Sequence, residues 1–115
     1  MLSETLTDFG MSGVFYAVSE LAAPWGIEIP PLPGTVVFHL VTEGELVLET
    51  AGTTTRMVAG DMVLVPTGAG HTILDAPGSA ATPLFDLPRV ELRERYERLS
   101  IPGPGARSEV VCGAV

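Results

Sequence analysis

Thirteen glycines and ten prolines are scattered along the 115 residues, and they cut the chain into apolar runs too short for packed helices. Between these breaks lie GVFYAVSELA, GTVVFHLV, GELVLETA, TTTRMVAG, GDMVLVPTG, HTILDA and SEVVCGAV. Each run is rich in Val, Thr, Ile or Phe, and each is bounded by Gly, Pro or Asp. Short β-prone runs recurring at close intervals predict an all-β sandwich or barrel. TEGEL and ETAGTTT read as hairpin turns. GDMVLVPTG reads as a strand buried on both faces, because Met62–Val65 are all apolar, and Pro66 ends it by removing a ladder donor.

One segment departs from this pattern. PRVELRERYERLS places Leu92, Tyr96 and Leu99 at i, i+4 and i+7, which predicts one short helix near residues 89–99. Pro88 stands near its start, and Glu91–Arg95 and Glu94–Arg98 are i,i+4 pairs. IPGPGARS (Ile101–Ser108) reads as a loop. A chain of this length makes a single domain, residues 1–115, with residues 1–9 expected to be mobile.

Charge and cysteine content narrow the function classes. The formal net charge is −8, and all six basic residues are arginines. Phosphate binding needs clustered cations, so contact with nucleic acid by this chain is not expected. No apolar run reaches the length of a membrane span, and the N-terminus lacks a basic start followed by an apolar stretch. Cys112 is the only cysteine. It excludes an internal disulfide framework and fits a cytoplasmic location. It lies in an apolar strand with no evident base beside it, so it is expected to be buried and inert.

The stretch that carries chemistry is GDMVLVPTGAGHTILD. It spaces Gly60, Pro66, Gly68, His71 and Asp75 by five, one, two and three residues. This resembles the second motif of the cupin superfamily, with Asp75 where an Asn is usual. In metal-binding cupins the histidine of that motif is a ligand pointing into the barrel. The first cupin motif supplies the other ligands, and two registers are open. If Gly44 closes it, its Glu position falls on Val37 and its His positions fall within Pro30–Pro33, so every ligand is missing. If Gly52 closes it, His39, Val41 and Glu45 take those positions, and His39, Glu45 and His71 make a two-histidine, one-carboxylate set. The first register leaves residues 45–59 for two strands and their hairpin. The second leaves barely one strand. The first is preferred, so no metal and no cofactor is expected. His39 still faces inward, as core or as pocket wall.

A wider resemblance adds to this. Ala23-Pro24-Trp25-Gly26, Phe38-His39, Glu43-Gly44, Gly60-Asp61, Pro66, Gly68, His71, Asp75 and Val111-Cys112-Gly113, in that order, are similar to the cupin-type N-terminal domain of AraC-family transcriptional regulators. The resemblance implies a jelly-roll barrel that binds a small effector and forms a homodimer. It also implies a separate helix-turn-helix region for DNA, and no such pattern occurs in these 115 residues. Strand alternation places His39, Val41, Leu46, Leu48, Met57, His71 and Ile73 on the wall of the expected effector pocket, with Trp25 at its mouth. Dimerisation is expected through an edge strand or the 89–99 helix. Two alternatives stay open. One is a small metal-dependent dioxygenase or isomerase using His39, His71 and Glu45 or Asp75. The other is a structural domain whose interior is filled by its own side chains.

Overall fold

A computed structural model describes residues 15–93 and 96–115. The expected mobility of residues 1–9 lies outside the described residues. The chain forms eleven strands and one short 3-10 turn among those residues. In chain order the strands are β1 (Phe15–Ala22), β2 (Gly26–Ile29), β3 (Val37–Glu43), β4 (Glu45–Thr50), β5 (Thr53–Val58) and β6 (Met62–Val65). They continue with β7 (His71–Leu74), β8 (Thr82–Pro83), β9 (Arg89–Arg93), β10 (Tyr96–Ile101) and β11 (Arg107–Ala114), and the 3-10 turn spans Leu84–Asp86. The all-β jelly-roll expectation holds.

Two sheets face each other. One has six strands in the order β6-β3-β11-β1-β10-β9, the other five in the order β5-β4-β7-β2-β8. Period-2 alternation turns Ala17, Ser19 and Leu21 of β1 inward, with Val37, His39 and Val41 of β3 and Leu46 and Leu48 of β4. From both sheets Ala17, Leu21, Val41, Leu46 and Leu48 meet Trp25, Ile27, Ile73, Leu99 and Val110 in the main core, while Val37 packs in a smaller cluster with Leu32, Val65 and Ala114. Removing that apolar surface from water is the main force holding the sheets together.

Three local expectations are corrected. First, the described residues of the expected 89–99 helix are strands. Arg89–Arg93 and Tyr96–Ile101 are antiparallel strands, and β10 also runs parallel to β1. The sheet offers the backbone a partner on each side, and burying Leu99 between the sheets outweighs weak helix propensity. Arg98 pairs with Glu20 of β1 at 3.4 Å. Second, TEGEL is not a hairpin. Gly44, at φ 75°, is a corner that carries the chain from β3 in one sheet to β4 in the other. The ETAGTTT turn does join β4 to β5. Third, β6 is an edge strand buried on one face only. Val65 is buried, whereas Met62 and Leu64 are 58% and 56% exposed. The loop reading of 101–108 holds for its middle, and Ile101 and Arg107 belong to the flanking strands.

The turn before His71 depends on Gly68. Its φ is +65°, and a Cβ there would collide with the Leu32 carbonyl. Its N–H and carbonyl also bond Val65 and Leu32. Gly68→Ala is expected to cost about 2 kcal/mol or more, from strain in the left-handed region plus displacement of the neighbouring backbone. Urea denaturation checks this, and an unchanged midpoint would contradict it.

Candidate functional site: a buried histidine–histidine–cysteine chain

His39 sits in the middle of β3, between β6 and β11 of the larger sheet. His71 opens β7 in the smaller one. Both are buried, and their rings meet edge to face between the sheets with centroids 4.9 Å apart. Nε2 of His39 lies 2.6 Å from Nε2 of His71. Antiparallel pairing of β3 with β11 sets Cys112 directly opposite His39, and Sγ lies 2.9 Å from His39 Nδ1. His71 Nδ1 lies 2.8 Å from the Ala69 carbonyl oxygen.

The partners decide where the protons sit. A carbonyl only accepts, so His71 Nδ1–H donates to Ala69. Neutral His71 then presents a lone pair at Nε2, and His39 Nε2–H donates to it. That leaves a lone pair at His39 Nδ1, which the Cys112 thiol serves as donor. All four groups are satisfied by one directional chain of neutral hydrogen bonds.

Electrostatics keep it neutral. Burial, and then the proximity of His71, push His39 down to about 3. Burial also lowers His71, opposed by its bond to Ala69. Burial pushes the Cys112 thiol up to about 12. An extra proton on His71 would point two N–H groups at each other across the 2.6 Å contact. Near neutral pH there is no thiolate nucleophile and no free imidazole base.

The expectation that Cys112 has no base nearby is therefore corrected in geometry, though not in chemistry. A histidine does touch it, but as acceptor from a protonated thiol. Sequence spacing could not show this contact. It depends on the β3–β11 register, which joins residues 73 positions apart.

Beside this chain lies a small cavity of about 30 Å³, lined by Ser19, Ile27, His39, Ile73, Leu99 and Cys112 among others. A water-sized molecule needs roughly 10–15 Å³ on this measure, so there is room for about one or two. Of the residues expected on a pocket wall, His39 and Ile73 line this cavity. Val41, Leu46, Leu48 and Met57 pack in the surrounding core, and His71 stands behind His39. Trp25 also lies in the core, 3% exposed, rather than across an open mouth. Its Nε1–H is the one buried side-chain donor without a partner among the described residues. Ser19 and Cys112 were missed as lining. The available signal was a small polar residue at an inward position of an apolar strand.

The alternative, Gly52 register of the first motif does not gather its ligand set. Glu45 is exposed and bonded to Arg56, and Asp75 bonds Ser79. Neither joins the histidines. The interval 45–59 holds β4, β5 and their hairpin, as the Gly44 register requires. No group of three or more His, Cys, Asp or Glu side chains that could hold a metal occurs among the described residues. Among the described residues the two imidazoles stand without a third ligand of the kind a catalytic centre uses.

The whole chain, residues 1–115, matches the family model described as Cupin. This chain belongs to the cupin family. No curated protein and no solved structure matches it. Within this cupin, His71 points inward between the sheets, where it meets His39. No helix among the described residues is long and apolar enough to cross a membrane.

Proposed function

We propose that this cupin is a non-catalytic, cytoplasmic small-molecule-sensing and dimerisation module, of the kind that forms the regulatory half of AraC-type transcription regulators. The observation that carries the reading is the cavity beside His39. It lies between the sheets, is walled mainly by apolar side chains, and exposes an imidazole whose Nδ1 is held only by a weak thiol donor. A ligand O–H or N–H would replace that donor on equal or better terms. A cavity of about 30 Å³ must widen to admit an effector. Occupancy is thereby coupled to the packing of both sheets, which is what a sensor needs. The neutral Cys112, and the absence of a three-ligand set among the described residues, count against the dioxygenase or isomerase alternative. The effector is a small, partly polar molecule. The regulator assignment rests on family resemblance and not on site chemistry.

Native mass spectrometry of untagged protein is expected to show a small organic adduct that is lost in Ala17→Leu, because Ala17 also lines the cavity and the larger side chain fills it. Elemental analysis is expected to give far less than one equivalent of transition metal. A full equivalent of metal that disappears in His71→Ala would overturn the sensing reading in favour of a metalloenzyme.

A further inference from the structure

The direction of the histidine chain decides what the cavity beside it accepts. A main-chain group anchors that direction. The Ala69 carbonyl oxygen, 2.8 Å from His71 Nδ1, can only accept a hydrogen bond. Reversing the chain would make His39 Nδ1 a donor, and it would turn the His71 Nδ1 lone pair on that carbonyl. Two acceptors would then face each other at 2.8 Å. His39 Nδ1 is therefore fixed as an acceptor. Its present donor is the weak S–H of Cys112, 2.9 Å away.

The rest of the cavity wall offers little else that is polar. Among the described residues that line it, Ser19, His39 and Cys112 carry the polar side-chain atoms, and none is Asp, Glu, Lys or Arg. Burial keeps His39 itself uncharged near neutral pH. An ion entering this space would lose its hydration and gain no counter-charge. A polyol would bury hydroxyls that find no partner. A ketone or ether oxygen would meet the Nδ1 lone pair with a lone pair of its own. One hydroxyl fits, because it donates to Nδ1 and keeps lone pairs for the Ser19 hydroxyl on the same wall. We infer that the cavity selects an uncharged, mainly apolar molecule with a single hydroxyl group, an alcohol or a phenol, whose O–H replaces the Cys112 thiol as the donor to His39 Nδ1. Cys112 then sets selectivity, since it competes with the ligand for one lone pair. The inference rests on the sensing reading above and adds the chemical class of the effector.

The test is a titration of the isotope-labelled full chain at pH 7, read by NMR, with four probes of similar size: phenol, anisole, toluene and benzoate. Phenol is expected to bind at least about tenfold more tightly than anisole or toluene, and benzoate not at all. The ring-nitrogen shifts supply a readout that filling the space alone would not move. They should show His39 Nδ1 unprotonated in the free protein and perturbed by phenol but not by toluene. Cys112→Ala removes the competing thiol and should raise the phenol-to-toluene affinity ratio. Cys112→Ser installs a stronger donor and should lower it. Equal affinities for phenol and toluene, tighter binding of anisole or benzoate, or a protonated His39 Nδ1 would overturn the hydroxyl selection and leave the sensing reading standing. Binding of none of the four would overturn the alcohol or phenol class. The native adduct and its loss in Ala17→Leu then decide the sensing reading separately.

Discussion

Lowering the pH from 7 to 4.5 is expected to remove about 2–3 kcal/mol of stability through His39 alone. The folded protein holds His39 near 3 by burial, against an ordinary 6.5 in the unfolded chain. Between these values the unfolded state binds a proton that the folded state refuses. The contribution is therefore fully present above pH 6.5 and is lost as pH falls toward 3. His71, lowered by burial as well, acts in the same direction. Urea denaturation at a series of pH values and fixed protein concentration measures the slope. The doubly substituted His39→Leu/His71→Leu protein should lose most of it between pH 6.5 and 4.5. An identical slope in that variant would show that the histidines are not the cause.

The second large effect is an asymmetry between single and double replacement. His39→Leu leaves the His71 Nε2 lone pair and the Cys112 thiol in the core with no partner. The expected loss is about 2–4 kcal/mol, most of it the cost of orphaned polar groups rather than of the bonds themselves. Adding His71→Leu removes the orphaned nitrogen. It frees only the carbonyl of Ala69, an exposed residue that water can reach. The double variant should therefore be less destabilised than the sum of the two single variants by at least about 1 kcal/mol. Additivity within about 0.5 kcal/mol would mean that the 2.6 Å contact is not a working hydrogen bond in solution.

Much of the site was legible before any coordinates. The spacing from Gly60 to Asp75 placed His71 at a strand start, and alternation through Val37 and Val41 turned His39 inward. Both are local properties, carried by turn residues and a period of two. The chain length between Gly44 and Gly60 chose the motif register, and β4 and β5 occupy that interval. Cys112 was not legible as a partner of His39. Trp25 read as a lid because its neighbours resemble a mouth segment, yet it packs in the core.

Failures of the local reading share one cause. Leu92, Tyr96 and Leu99 fit a helical spacing, but β1 and β9 supplied a ladder on both sides of residues 96–99, and backbone satisfaction outweighed propensity. Met62 and Leu64 read as core because they are apolar, and only the strand order showed β6 at an edge with that pair facing out. By itself the amino-acid order determined where strands and turns occur, because glycine, proline and β-branched residues act on their own φ and ψ. The tertiary structure alone decided which strands pair, which apolar face stays open, and that a thiol closes the histidine chain, because these depend on registers between residues tens of positions apart.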